Sequence, residues 1–446
     1  MRKLLKKLTY TQIIVLSFLL MILIGATLLC LPVSSADGTF TKPVDALFTA
    51  TSATCVTGLI VFDTFTHWSL FGQIVIITLI QIGGLGFLAY ISMFSVFLKK
   101  KIGVYERRLL MQAQGGLKLS GAVSMLKRIV KGTFLFEGLG AIILAFRFCP
   151  KMGLGEGIYN AIFHSVSAFC NAGFDLMGKY ETFSSLSTFS KDPVVLITIM
   201  ALIVTGGIGF LVWTDIVTLR TKIKKYSLHT KIALTTTIFL LISSGIFFFI
   251  HEYNGVLKDF LLTDKITNAA FLAVSPRTAG FNTVELAALK PGSEVVTDLL
   301  MLIGGSPGST AGGLKTTTFA VIILSTIAAA RHDTHPQIFK RRLPDDALKQ
   351  ATAIFSIYVF VSLVAIVIIC TIEKCDVTTA AFEVISAIGT VGATKGLTPT
   401  LTIASKLIIA GLMFGGRVGG LSLVLSLAEK RENVPLDRPS EKILIG

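Results

Sequence analysis

The chain has 446 residues, of which 52% are hydrophobic and 15% charged, and its mean hydropathy is +0.76. A soluble domain of this length has no interior that could hide so much apolar side chain, so the composition excludes a soluble protein and sets an integral membrane class. The formal net charge of +15 would point to nucleic acid in a soluble protein; beside long apolar runs it reads as charge held on the inner membrane face, with no nucleic-acid partner.

Taken in order, the chain reads as four units, each a span, a stretch too short to cross a membrane, and a second span. Unit one (1–98) opens on MRKLLKK, which imitates a signal peptide, but 13–31 is uncharged and no A-x-A site follows, so an uncleaved span is expected. Its short stretch is 45–58 and its second span 71–98, closed by Lys99, Lys100 and Lys101. Unit two (99–220) has spans near 129–148 and 193–214 around 157–173. Unit three (221–330) has a span at 232–250, a short stretch at 265–280 and a broken segment from 296 to 330. Unit four (331–446) has 351–372, 377–392 and 403–428, then a tail.

Eight spans place both termini on one side, and the basic residues choose it. Arg2, Lys3, Lys6 and Lys7, then Arg107, Arg108, Lys118, Lys127 and Arg128, share a side with Arg220, Lys222, Lys224 and Lys225. Arg331, Lys340, Arg341, Arg342, Lys430 and Arg431 fall there too, so that face is cytoplasmic and the short stretches enter from outside. Asp45, Glu156, Asp264 and Asp376 stand before the short stretches, either opposite helix-dipole ends or as scattered outer acids.

The short stretches repeat. A Phe and a Ser stand four apart in each: Phe48 and Ser52, Phe163 and Ser167, Phe271 and Ser275, Phe382 and Ser386. A glycine follows each Ser: Gly58, Gly173, Gly280 and Gly392. Such even spacing suggests four related units around a common axis. The expected fold is an all-α membrane protein of four pseudo-symmetric span–pore-loop–span repeats around one central pore, with eight full spans and four re-entrant helices.

Val56-Thr57-Gly58, Asn171-Ala172-Gly173, Thr278-Ala279-Gly280 and Thr390-Val391-Gly392 close the short stretches. Non-helical backbone at membrane depth survives only inside protein or beside water. Four extended segments ending in Gly can offer carbonyls to a dehydrated monovalent cation, the logic of potassium-channel filters. Each departs from TVGYG, so a shorter filter is expected. One such loop would be a tight turn without function; four at matched positions argue for a site, with potassium at these carbonyls and no other metal.

The second spans carry GGLGF (83–87), GGIGF (206–210), GGSPG (304–308) and GGRVGG (415–420). Gly83, Gly84, Gly86, Gly206, Gly207 and Gly209 read as helix-packing glycines. Unit three differs: Gly304, Gly305, Ser306, Pro307, Gly308, Ser309, Thr310, Ala311, Gly312 and Gly313 cannot form a regular helix. A phosphate loop fails, because Leu314 separates Gly313 from Lys315 and the flanks are apolar spans. A loop obstructing the pore below the filter fits better, with Arg417 of unit four at matching depth as a latch. Glu137, mid-span, reads as a buried acid paired locally with a basic residue, or else a proton relay. Asp215 is expected in solvent at a span's inner end. His332 and His335 read as solvated loop residues. The six cysteines (Cys30, Cys55, Cys149, Cys170, Cys370 and Cys375) read as free thiols, mostly in apolar runs.

These residues resemble the Trk/Ktr/HKT superfamily of potassium transporters over nearly the whole chain. The specific parts are the four glycines, SPRTAGFN at 275–282, GGSPGSTAGGLKTTT at 304–318 and Arg417. Length and short N-terminus resemble its KtrB-type subunits. The resemblance implies potassium uptake across the cell membrane and a homodimer with one pore per subunit. It also implies a cytoplasmic nucleotide-binding partner of KtrA type, so that ATP or ADP would sit on that partner and no cofactor on this chain. A sodium- or proton-coupled secondary transporter is the alternative; parallel rather than inverted repeats count against it, while sodium coupling stays open. An enzyme is disfavoured, since no HExxH or Ser/His pairing of catalytic type stands out.

Overall fold

The computed structural model describes residues 9–86, 122–333 and 335–419. The expected basic N-terminus, the inner loop from Lys99 to Lys118, the last part of span 71–98, the end of span 403–428 and the tail lie outside the described residues.

The described chain is helical, apart from 3-10 turns and a two-stranded hairpin, Gln337–Ile338 with Arg341–Arg342, between units three and four. Unit one holds α1 (Tyr10–Cys30), α2 (Pro43–Cys55), the single turn α3 (Thr64–His67) and α4 (Leu70–Leu85). Unit two holds α5 (Ala122–Met152), α6 (Leu154–Cys170), α7 (Pro193–Gly207) and α8 (Phe210–Leu219). Unit three holds α9 (Leu228–His251), α10 (Leu262–Val274), α11 (Pro291–Leu302) and α12 (Thr316–Ala330). Unit four holds α13 (Asp345–Glu373), α14 (Val377–Gly389) and α15 (Ile403–Val418).

The order long helix, short helix, second helix thus recurs four times. α1, α5, α9 and α13 are long and apolar enough to cross a membrane. The second helices are less regular than expected. The segment read as one span at 193–214 is two helices bent by 95°. Gly209, at φ +102°, makes the bend, and the Phe210 N–H it frees donates to Gly308 O at 2.7 Å. Gly86 (φ +87°) and Gly419 (φ +92°) sit likewise just past the ends of α4 and α15. The packing reading of Gly86 is therefore corrected to a positive-φ backbone turn with open space around it, while Gly209 combines such a turn with close approach to the Pro307 carbonyl. The packing reading suits Gly83, Gly84 and Gly206, where a side chain would strike the Thr54 carbonyl, the Cys170 sulfur and the Phe169 carbonyl.

Several helix starts carry a side-chain cap, which spares an unpaired N–H a costly exposure to hydrocarbon. Thr9 and Gln12 form a reciprocal capping box on α1. Ser69, Asp192, Ser227 and Thr402 side chains cap α4, α7, α9 and α15. Asp45, Glu156 and Asp264 lie inside the first turns of α2, α6 and α10, and Asp376 is the N-cap of α14. Those positions suit carboxylates at positive dipole ends. Two of the acids also meet lysines: Asp45 with Lys406 of unit four and Glu156 with Lys179, each at 2.7 Å.

Large apolar side chains point outward. Phe146, Ile250 and Phe360 are 75%, 70% and 68% exposed, as a lipid-facing surface requires. Lipid is as apolar as leucine, so close packing rather than water exclusion holds such helices together. The repeated Phe48, Phe163, Phe271 and Phe382 face inward and are each 1% exposed. Glu137 is buried, and its Oε2 accepts from Gln81 Nε2 at 3.1 Å. The expected basic partner is thus corrected to an amide on α4. Asp215 is held by Ser227 and Thr230 hydroxyls at 2.7 and 2.6 Å, where solvent alone was expected.

Candidate functional site

The short helices end three residues before the glycine in units one, two and four and six before it in unit three, yet all four endings share one backbone shape. Val56, Asn171, Thr278 and Thr390 have φ of +58°, +61°, +73° and +53°. Two residues on, Gly58, Gly173, Gly280 and Gly392 have φ of +95°, +70°, +73° and +89°. Left-handed backbone costs a non-glycine residue about 1–3 kcal/mol and persists only where its surroundings enforce it. Four matched instances, three at β-branched residues, show strong enforcement.

The four segments close into a ring. A side chain added at Gly58 would collide with Ala172 O, at Gly173 with Ala279 O, at Gly280 with Val391 O, and at Gly392 with Thr57 O. The middle carbonyl of each unit thus lies against the glycine of the preceding one, and unit four returns to unit one. This cyclic order joins eight of the twelve residues expected at the filter, and Val56, Asn171, Thr278 and Thr390 lead directly into them. The hydroxyls of Thr57 and Thr390 are buried and have no protein hydrogen-bond partner. The Asn171 amide and the Thr278 hydroxyl lie 3.1 Å apart.

Residues that composition could not single out hold this ring from behind. Thr57, Ala172, Ala279 and Val391 donate their N–H to the carbonyls of Ser52, Ser167, Ser275 and Ser386 at 2.8, 2.8, 2.9 and 2.8 Å. His164 Nε2 accepts from Leu176 N at 3.4 Å. Glu383, fully buried on α14, accepts from the hydroxyls of Thr394 and, at 2.7 Å, Thr398. Both occupy the position after the repeated Phe, a signal visible in the sequence once the repeat is aligned.

The loop from Gly304 to Gly313 runs between α11 and α12 and reaches the bent helix of unit two. Ser306 N donates to Gly207 O at 2.9 Å and Thr310 N to Gly206 O at 3.2 Å. Thr310 Oγ1 donates to Phe169 O, at the end of α6, at 3.1 Å. Gly312 lies against the Thr390 side chain, so the loop packs directly on a ring residue. Lys315 Nζ donates to Ala311 O and Gly312 O at 2.7 and 3.1 Å. Arg417 Nη1 donates to Thr310 O, while Nη2 donates to Gly83 O and Gly84 O at 2.5 and 2.8 Å. Arg277, buried in the SPRTAGFN stretch, donates to Gly304 O at 3.3 Å. The chain therefore brings ring, loop and Arg417 together.

Four matched backbone segments closed into a ring, within a helical array that turns large apolar side chains outward, define a membrane protein built on four related units. Residues 5–434 match the TrkH cation transport protein family, and the chain belongs to it. It is 41% identical to the potassium/sodium uptake protein NtpJ of Enterococcus hirae, covering 99% of this chain and 98% of that one. It is also 41% identical to the Ktr system potassium uptake protein B of Bacillus subtilis, covering 98% and 97%. The corresponding Vibrio alginolyticus protein is 36% identical over 98% and 94%. The crystal structure of the potassium transporter TrkH from Vibrio parahaemolyticus superposes with a TM-score of 0.72 at 17% identity, over 92% of this chain and 84% of that chain, which fixes a shared fold.

Proposed function

We propose that the chain admits potassium to the cell through the four-segment ring, with Val56 to Gly58, Asn171 to Gly173, Thr278 to Gly280 and Thr390 to Gly392 as a selectivity filter. The observation that carries this reading is the cyclic closure of four matched left-handed backbones. Fixed carbonyls replace the hydration shell of a cation without reorganising as it enters. The long helices with the paired second helices are read as eight spans around this pore, the short helices as re-entrant, and both termini as cytoplasmic. The unit boundaries near 98, 220 and 330 follow from that reading.

The loop Gly304–Gly313 is the gate in this reading. It packs on Thr390, and Arg417 holds it shut while placing a fixed positive charge near the cation path. The family names support potassium as substrate, and the Enterococcus relative's name favours sodium as a second transported or coupling ion. The word system in the names of the Bacillus and Vibrio relatives supports assembly with further subunits. A homodimer bound to a cytoplasmic nucleotide-binding partner of KtrA type, charged with ATP or ADP, is the proposed assembly in the cell membrane. Rubidium and potassium uptake by proteoliposomes of the purified chain tests the function. Uptake of neither ion, under an inside-negative potential, sinks the proposal.

A further inference from the structure

The repeated serines behind the ring are absorbed neither by helix packing nor by the gate. Ser52, Ser167, Ser275 and Ser386 are all buried, and their hydroxyls split into two arrangements. In units one and four the hydroxyl accepts: Gly58 N donates to Ser52 Oγ at 3.0 Å and Gly392 N to Ser386 Oγ at 3.1 Å. In units two and three it donates: Ser167 Oγ to Phe174 O at 2.6 Å and Ser275 Oγ to Phe281 O at 2.5 Å. A trans peptide is planar, with its N–H and C=O pointing in opposite directions. An N–H drawn back to a serine therefore drives the carbonyl of the same peptide away from the short helix. Ser52 thus aims the Thr57 carbonyl and Ser386 the Val391 carbonyl.

The four serine backbone carbonyls apply the same constraint one peptide earlier in every unit. By accepting from Thr57, Ala172, Ala279 and Val391 N, they turn the carbonyls of Val56, Asn171, Thr278 and Thr390 outward. Ser52 and Ser386 thus supply two acceptors to successive peptides, carbonyl and hydroxyl, which alanine cannot do; in unit three the Ser275 carbonyl alone accepts from both Ala279 N and Gly280 N. We propose that these four serine hydroxyls are positioning residues that set cation discrimination, unequally: Ser52 and Ser386 aim ring carbonyls, whereas Ser167 and Ser275 only brace the segment beyond the glycine. The proposal rests on the filter reading.

The asymmetry gives a ranking. Removing Ser52 or Ser386 leaves a buried N–H without an acceptor, the less tolerated kind of orphan. Removing Ser167 or Ser275 leaves a carbonyl, which tolerates under-satisfaction better. Potassium and sodium uptake are measured in proteoliposomes for the four Ser→Ala variants, beside Gly58→Ser as a reference. Ser52→Ala and Ser386→Ala should raise the potassium KM by about tenfold, and Ser167→Ala and Ser275→Ala by about threefold. Maximal rate per folded protein should stay within about twofold and potassium-over-sodium preference should fall in the same rank order. Ser52→Thr, which keeps the hydroxyl, should restore most of the affinity. A fall in rate at unchanged KM, or equal effects in all four units, marks purely structural serines and overturns the proposal. If Gly58→Ser changes selectivity while all four alanine variants behave as the parent, the serines are idle and the filter stands. If Gly58→Ser is also silent, the filter reading and this proposal fall together.

Discussion

Arg417→Ala probes the gate at one of its charged supports, Lys315 and Arg277 being the others among the described residues. The guanidinium reaches across two structures: one bond goes to Thr310 O in the loop, and two go to Gly83 O and Gly84 O on α4 at 2.5 and 2.8 Å. Only the first must break when the loop moves away. A hydrogen bond from a charged donor contributes about 1.5–3 kcal/mol, and about 1.4 kcal/mol is a tenfold change in an equilibrium. Losing it shifts the closed–open balance by about 10- to 100-fold. The loop keeps its neutral bonds to Gly206, Gly207 and Phe210, so the lower part of that range is expected. Rubidium flux at saturating concentration should therefore rise by about tenfold, with unchanged preference over sodium. Deleting several residues within Gly304–Gly313 removes the neutral bonds as well and should raise flux further. Adding Arg417→Ala to the deletion should then change little, because the latch has nothing left to hold. Unchanged flux in a well-folded Arg417→Ala protein, or fully multiplicative effects with the deletion, refutes the latch.

The other predictions concern filter, energetics, outer loop and partner. Gly→Ser at Gly58, Gly173, Gly280 or Gly392 meets both a positive φ and a neighbouring carbonyl; each should weaken potassium affinity or relax discrimination against sodium, and parental uptake kinetics in all four would refute it. An inside-negative potential favours entry of one cation by about 2.3 kcal/mol per 100 mV, so uptake should vanish in vesicles clamped at zero potential with no inward gradient; continued accumulation there, without sodium or proton gradients, excludes passive conduction. In the loop between α6 and α7, burial, opposed by the Met177 amide and aided by nearby Asp63, pushes Asp175 up to about 7. Its raised value means that its contribution to stability is full below the ordinary aspartate range and is lost as pH rises to about 7. Asp175→Asn should flatten the thermal midpoint across that window, and an unaltered profile would contradict it. A low-salt pulldown from native cells should recover a soluble partner; recovery of this chain alone removes the support for docking.

Backbone-breaking residues made much of this protein legible before its structure. Glycine and proline mark places where a helix cannot continue, so the four glycine-bearing endings and the interruption at Gly304–Gly313 stood out. The left-handed Val56, Thr278 and Thr390 did not, because β-branched residues rarely take that shape and tertiary contacts impose it. The bend at Gly209 was hidden for the opposite reason: GGIGF also suits ordinary helix packing. Only the neighbouring loop, whose Gly308 carbonyl takes the freed Phe210 N–H, distinguishes the two. Glu137 drew a wrong partner because a charge suggests a countercharge, whereas α4 supplies the Gln81 amide. The ion pair of Lys406 with Asp45 spans 361 positions and leaves no local signal.

The ring also has a seam in time. Its last contact sets Gly392 against Thr57, residues from opposite ends of the polypeptide. Chains emerge from the ribosome at about 5–20 residues per second, so unit one waits on the order of tens of seconds for its closing neighbour. Until unit four is made, the ring contacts that it supplies cannot form. Thr57 O then lacks Gly392 beside it, and Gly280 lacks Val391. Polar backbone facing hydrocarbon is costly, so a ring left open at this seam is the costly state and its closure waits on the last unit. The Lys406–Asp45 ion pair ties that last unit to the first.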